Sequence, residues 1–347
     1  MHPIIKEDLE YITGAPLEWN YFDNKRILIT GASGFIPAYM LETLLFLNNT
    51  KKLACKVTAL VRNRAKAGVR LAEYARRHDL ELIEGDVSQQ RVWSCRHDVI
   101  IHAASQASPK FYDVDPVGTM KANILGTNHL LEMAVQWKTD RFLFFSTGDV
   151  YGQLPKKIPT GEADYGYLEI LNHRSCYGES KRAGETLGAS YAHQHGIHFV
   201  AVRPTHTYGP GMSLDDGRVF ADFMRDAVNR RDIIVRGDGT AIRSFCYLAD
   251  ATSAFFTVLL KGASGAAYNV GNPDGALSMR DLAGVIAQLP TPPLNIVMNQ
   301  KPAPGYLPSP LQVSIPNIDK LKALGWQPRR TPKEGFARTF AFFTGGR

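Results

Sequence analysis

Cysteine is scarce in this chain of 347 residues: four occur, at 55, 95, 176 and 246, widely spaced and without a Cys-x-x-Cys pair. That excludes a disulfide framework and a cysteine-based zinc site, no metal is expected, and a reducing cytoplasm is the default compartment. Long hydrophobic runs are missing too. No apolar stretch reaches the roughly 18–20 residues that a membrane helix needs, and the first turn of sequence, with Lys6, Glu7, Asp8 and Glu10, offers no signal-peptide core. Cations exceed anions, 40 Lys and Arg against 33 Asp and Glu, but they are dispersed rather than gathered in a stripe. A small polyanionic ligand therefore fits the +7 charge better than nucleic acid does. Repeats and low-complexity tracts are absent. What remains, 44% hydrophobic and 21% charged residues, is globular material for one large domain or two interleaved ones.

Alternation dominates the chain from Lys25 onward. Apolar segments at Lys25–Thr30, Lys56–Val61, Leu80–Glu84, Val99–Ala103, Arg141–Ser146 and His198–Arg203 read as strands, with helical patterns between them, notably Gly118–Trp137 and Tyr177–His195. Strands buried on both faces and separated by helices imply an α/β fold with a doubly wound parallel sheet of the Rossmann type. Residues 1–24 form an extension with a short helix expected around Lys6–Tyr11. Residues 25–203 make the dinucleotide-binding domain. Residues 204–347, richer in Gly and Pro, make a smaller, interleaved substrate-binding portion, with shorter elements at Val219–Asn229, Ile233–Val235, Ala249–Leu260 and Met279–Gln288. The proline-rich segment Leu289–Ser309 reads as a surface connection.

Two local patterns carry chemistry. The first strand runs directly into Gly31-Ala32-Ser33-Gly34-Phe35-Ile36-Pro37 and then a helix. Strand, glycine turn and helix suit a dinucleotide: Gly31 permits the tight turn, and Gly34 lets backbone N–H groups approach a pyrophosphate. Pro37 stands where a third glycine is usual, a place where a first helical turn tolerates proline. The second pattern is Tyr177 followed by Lys181. Residues four apart share a helix face, and a nearby cation favours phenolate, which can take an alcohol proton while a hydride leaves the same carbon.

Further ordered segments join these two: Gly85-Asp86-Val87, His102-Ala103-Ala104-Ser105, Asn123-Ile124-Leu125-Gly126-Thr127, Ser146-Thr147-Gly148-Asp149-Val150-Tyr151-Gly152, Arg203-Pro204-Thr205-His206-Thr207-Tyr208-Gly209-Pro210 and Asn269-Val270-Gly271. Together they resemble the extended short-chain dehydrogenase/reductase family of nucleotide-sugar epimerases, dehydratases and decarboxylases, over about Lys25–Phe343. Within it, Ala107–Tyr112, Arg174–Arg182 and Met212–Val219 are most similar to UDP-glucuronate decarboxylases. The resemblance implies a bound NAD or NADP regenerated within each cycle, a nucleotide-sugar substrate and a homodimer built through Gly118–Trp137 and Tyr177–His195. It implies catalytic roles for Thr147, Asp149, Tyr177 and Lys181. It places the cofactor on Gly31, Ser33, Gly34, Phe35, Ile36, Arg62, Asp86, Val87, Ala103, Ala104, Ser105, Tyr177 and Lys181, and the substrate on Ser108, Pro109, Thr147, His206, Arg218 and Arg243.

The implied reaction is decarboxylation through transient oxidation at C4, with 4-epimerisation and then 4,6-dehydration as alternatives, and a non-catalytic nucleotide-binding regulator as the alternative of another class. Several positions depart from the family pattern. Gly148 and Asp149 replace a polar residue and a glutamate, His206 an asparagine, Ser314 an arginine, and Val61 the acid that binds ribose hydroxyls in NAD-specific members. Arg62 follows Val61, leaving NAD and NADP both open. His102 reads as a structural or cofactor-side residue, His193, His195 and His198 as surface or packing residues, and Arg203 and Tyr208 as either nucleotide-side or packing.

Overall fold

The computed structural model describes residues 1–155, 159–299 and 312–345. In chain order the elements are α1 (Pro3–Thr13), β1 (Arg26–Thr30), α2 (Phe35–Thr50), β2 (Lys56–Val61), α3 (Arg64–Arg70), β3 (Leu80–Glu84), β4 (Val99–His102), α4 (Lys110–Val114), α5 (Pro116–Trp137), β5 (Arg141–Phe145), α6 (Cys176–His195) and β6 (Phe199–Pro204). There follow β7 (His206–Tyr208), α7 (Val219–Val228), β8 (Ile233–Arg236), β9 (Ile242–Tyr247), α8 (Leu248–Lys261), β10 (Ala266–Val270), β11 (Ala276–Ser278), α9 (Met279–Ala287), β12 (Ile296–Asn299), β13 (Val313–Ser314), α10 (Asp319–Lys322) and α11 (Pro332–Thr344).

Seven parallel strands form the main sheet in the order β3-β2-β1-β4-β5-β6-β10. Side chains alternate across it as the pleat requires. Ile27, Ile29, Val57, Ala59, Ile101, Leu143 and Val202 enter one core with residues of α2 and α8. Leu28, Leu60, Ile100, Phe142, Phe144 and Phe199 enter the other with α5. Both faces are thus covered, which is why these strands read as continuous apolar runs. From β1 the chain winds outward to β2 and β3, then returns to β4 on the opposite side. The crevice at that reversal is where such sheets bind ligands.

Six strands were legible in the sequence; β10 is the seventh. Its burial rests on Tyr268 and Val270, while buried Asn269 interrupts the apolar run and accepts a hydrogen bond from the Tyr151 hydroxyl at 2.5 Å. Because β10 pairs with β6, the chain beyond residue 204 re-enters the main sheet. A second sheet centres on β9, which pairs parallel to β7 and β13 and antiparallel to β11, while β8 and β12 form a separate parallel pair. The last pair corrects one expectation: Ile296–Asn299 of the proline-rich segment is a strand, held by backbone pairing that its composition conceals, and residues 300–309 lie outside the described residues.

Residues 1–24 belong to the body of the molecule. Ile5, Leu9 and Ile12 of α1 are buried, and Asp8, fully enclosed, accepts hydrogen bonds from Tyr39 (3.2 Å), Tyr247 (2.7 Å) and Arg338 (2.9 Å). Among the described residues no helix is long and apolar enough to cross a membrane, and no group of three or more His, Cys, Asp or Glu could hold a metal ion.

Candidate active site

At the switch point, Gly31 turns the chain with φ of +66°, and a Cβ there would lie 2.8 Å from the Ala104 Cα. Only glycine allows so close an approach between the β1 turn and the segment after β4. Gly34 then caps α2 without a side-chain bond, so the first-turn N–H groups stay open to an anion. Pro37 is buried in that first turn, where it removes no intrahelical bond. Beside the crevice the Ser105 and Ser146 hydroxyls are buried and have no protein partner. An open helix terminus, a backbone cradle and orphaned hydroxyls fit a dinucleotide.

Below them His102 is structural. Thr30 Oγ1 accepts from the Ala103 and Ala104 N–H groups (3.2 and 3.1 Å) and lies 2.8 Å from His102 Nδ1; His102 Nε2 lies 3.1 Å from Thr127 Oγ1, which donates to the Asn123 carbonyl. Burial, aided by the Lys181 charge, lowers the His102 pKa to about 3. The neutral ring therefore spans β1 and α5 and fixes the segment Ala103–Ser105. Asp86 uses Oδ1 for the Ser88 N–H and hydroxyl, and Val87 is wedged against Gly126 of α5.

The end of β5 carries Thr147, which accepts from the Asp149 N–H at 3.2 Å and sits within hydrogen-bonding reach of the Tyr177 phenol. Tyr177, in the first turn of α6, is 7% exposed and stacks on Tyr112 with ring centroids 5.1 Å apart. Its pKa is raised by burial and by Asp149, with Arg218 and Thr147 opposing. The i+4 lysine differs from expectation. Lys181 Nζ donates to the Phe145 carbonyl at 2.6 Å and lies 5.8 Å from the Tyr177 ring centroid, so Arg218 is the cation that favours the phenolate here. Sharing a helix face brought the two side chains close, but a backbone carbonyl captured the ammonium. Burial lowers the Lys181 pKa to about 7, against a smaller opposing effect from Glu185.

Around this pair lies a cationic cleft. Asp149 retains solvent contact as a residue, yet its carboxyl sits among protein atoms whose crowding raises its pKa; Arg218, Arg174 and Arg243 oppose that rise. Burial, Arg243 and Arg218 push His206 down to about 3, and its Nδ1 is buried with no partner. Arg243 is 8% exposed on β9, beside Ser314 of β13. A Cβ on Gly148 would find its nearest neighbour 3.9 Å away, so space is open beside Asp149.

Two loops tie across the cleft. Ser108 donates to the Asp216 carbonyl at 2.6 Å, Lys110 to the Asp215 carbonyl, and Arg218 to the Ala107 carbonyl at 2.7 Å, with Pro109 starting α4 between them. The structure thus gathers Thr147, Asp149, Tyr177, His206, Arg218 and Arg243. It also adds Tyr112 and Arg174, given no role from sequence; Arg174, three residues before Tyr177 and over the Tyr112 ring at 5.3 Å, was signalled only by that spacing. Arg203 and Tyr208 are packing residues. Arg203 is enclosed by Glu185 (2.6 Å) and Tyr151 (3.0 Å), and Tyr208 stacks on Phe336 at 3.8 Å. His193 and His195 are exposed, while His198 sits between Arg141 and the Gly262 carbonyl.

Residues 27–271 match the family described as NAD dependent epimerase/dehydratase. The chain belongs to that family. A relative within reach of sequence comparison, UDP-glucuronic acid decarboxylase 6 of Arabidopsis thaliana, is 35% identical over 315 residues, 90% of this chain and 87% of the relative. Solved structures share the epimerase/dehydratase fold. UDP-glucose 4-epimerase of Thermotoga maritima, with UDP-glucose, aligns with a TM-score of 0.79 at 24% identity, covering 92% of this chain and 98% of its own. UDP-glucuronic acid 4-epimerase of Bacillus cereus, in complex with UDP-glucuronic acid and NAD, gives 0.76 at 21% identity, covering 92% and 99%.

Proposed function

We propose that this epimerase/dehydratase family member decarboxylates UDP-glucuronate to a UDP-pentose through transient oxidation at the sugar C4. The observation that carries the reading is one cleft in which the Thr147–Tyr177 pair meets three guanidinium groups, those of Arg174, Arg218 and Arg243, against the carboxylates of Asp149 and of Asp216, the latter 3.3 Å from Arg218. Such a surplus of planar cations suits a substrate bearing both a diphosphate and a carboxylate. The UDP-glucuronic acid decarboxylase relative supports the same substrate.

Residues 25–203 would hold the dinucleotide and 204–347 most of the sugar nucleotide. Gly31, Ser33, Gly34, Phe35 and Ile36 are assigned to the pyrophosphate, Arg62, Asp86 and Val87 to the adenosine, and Ala103, Ala104, Ser105 and Lys181 to the nicotinamide side. When bound, the nicotinamide supplies reversible hydride acceptance at C4. Tyr177 takes the C4 hydroxyl proton, with Thr147 holding that hydroxyl in line. A C4 ketone makes the C5 carboxylate a β-keto acid, which loses carbon dioxide to leave an enolate. Protonation at C5, return of the hydride to C4 and return of the Tyr177 proton to the C4 oxygen would complete the redox-neutral turnover. Asp149, whose carboxyl binds a proton more readily than a free aspartate, takes the acid–base position beside the sugar. Arg218, Arg243 and His206 hold diphosphate and carboxylate, and Ser108 and Pro109 line the sugar. A homodimer through α5 and α6 agrees with the exposed Val117, Met120 and Leu125 of α5, and light scattering tests it.

Incubation of the purified chain with UDP-glucuronate is expected to release carbon dioxide and form a UDP-pentose. A UDP-galacturonate product establishes 4-epimerisation instead, and nucleotide binding without turnover of UDP-glucuronate or UDP-glucose indicates a non-catalytic binder.

A further inference from the structure

The ends of β1, β2 and β3 meet at one junction. The Gly31 and Ala32 N–H groups donate to the Leu60 carbonyl at 2.9 and 3.3 Å, and the Gly85 N–H donates to the Val61 carbonyl at 3.0 Å. Val61 and Arg62 therefore stand directly beside the glycine turn, with Asp86 on their other side. In dinucleotide sheets this is the place of the adenosine ribose: an acid there accepts from the ribose hydroxyls, whereas an arginine accommodates a 2′-phosphate.

The acid that would accept from ribose hydroxyls at the end of β2 is missing, and the carboxylates nearby, Asp86 and Glu84, come from the β3 end instead. Val61 is apolar and 1% exposed. The Asn63 carbonyl oxygen is used to cap α3, accepting from the Lys66 N–H at 2.8 Å. Asp86 Oδ1 is taken by Ser88. The next acid along the chain after Val61 is Glu73, which pairs with the N-terminal amine at 2.6 Å. Cations, by contrast, are in surplus. Arg62 and Arg64 are exposed, and among the described residues neither guanidinium makes a hydrogen bond or ion pair. Arg62 acts on Asp115 only through space. Arg64 borders a surface recess of about 440 Å³ that Glu84, Arg91 and Trp93 also line. Arg91 is already engaged, donating to the Glu84 carbonyl at 3.0 Å and lying over Trp93.

We propose that this junction recognises an adenosine 2′-phosphate, so that the chain binds NADP in preference to NAD, with Arg62 as the primary contact and Arg64 as the second. The proposal rests on the dinucleotide site described above and adds its selectivity. Discrimination comes from both sides. A phosphate dianion finds two unpaired guanidinium forks, and an unphosphorylated ribose finds no carboxylate at the end of β2, where Val61 stands.

The test is titration calorimetry of the full chain, stripped of nucleotide, with NADP⁺ and NAD⁺, alongside identification of the nucleotide released by acid from the purified protein. NADP⁺ is expected to bind at least about tenfold more tightly and to be the nucleotide released. Arg62→Ala with Arg64→Ala should erase most of that ratio by weakening NADP⁺ alone, and Val61→Asp should reverse it. Both arginines are exposed, so an unchanged thermal midpoint is expected to accompany these changes. Equal affinities, or tighter NAD⁺, in the unmodified chain overturn the proposal and leave the dinucleotide site standing. Failure of either nucleotide to bind overturns both. An unchanged ratio in the double variant overturns the assignment to these residues.

Discussion

Tyr177 and Lys181 illustrate how far a spacing reaches at the scale of single residues. Four positions apart on α6, they share a face, but Lys181 bonds to a carbonyl of β5 and Tyr177 is influenced by Asp149 and Arg218 instead. If Tyr177 is the proton acceptor, Tyr177→Phe should lower turnover about 10²–10⁴-fold with nucleotide affinity and thermal midpoint unchanged. Unaltered turnover would falsify that role. Lys181 predicts a pH dependence of stability. Its pKa, lowered by burial to about 7 from an ordinary 10.5, means the unfolded chain holds the extra proton between those values. Stability from this group therefore rises as pH goes from about 7 toward 10 and is lowest below 7. Urea unfolding at pH 7 and 9 should show a smaller rise in Lys181→Met than in the unmodified chain.

Element packing turns on glycines that the sequence presents as ordinary helix residues. Gly184 and Gly188 line the face of α6 that lies on the sheet; a Cβ at 188 would fall 2.0 Å from Phe199 Cζ, and one at 184 would fall 2.5 Å from Phe144 Cζ. Removing two Cβ atoms lets α6 sit close enough for Tyr177 to reach the end of β5. Gly188→Ala is expected to destabilise the protein by about 1–3 kcal/mol through overpacking. Gly284, inside α9, has no neighbour within 4 Å of its Cβ position, and Gly284→Ala should stabilise by about 0.5–1 kcal/mol. Parallel urea titrations of the two variants distinguish a contact effect from helix propensity, since propensity alone would move both upward.

Across the whole molecule, the first and last helices close the fold together. Asp8 of α1 accepts from Tyr39 of α2, Tyr247 of β9 and Arg338 of α11, and lies 3.6 Å from Arg330. Tyr11 donates to Asp250 of α8, which also receives the Arg329 and Arg330 N–H groups. Two enclosed carboxylates thus bind the N-terminal extension, the dinucleotide half and the C-terminal helix into one body. Removing one member of a buried charged network leaves the others unpaired, so Asp8→Ala should lose about 3–5 kcal/mol, measured as a lower urea midpoint with the slope retained. A loss under about 1 kcal/mol, the range of surface pairs, would show that α1 is only peripherally attached.

The sequence by itself determined the parallel sheet, six of its strands and the glycine turn. Each of these is written in local pattern: apolar runs and a turn that only glycine tolerates. Tertiary structure alone decided the rest. Whether Arg203 meets ligand or Glu185, which cation faces Tyr177, and that Arg174, Arg218 and Arg243 converge on Asp149 all depend on contacts between segments far apart in the chain. A charged side chain is long and flexible, and its partner is set by what folding brings within a few ångströms. Periodicity carries no record of that.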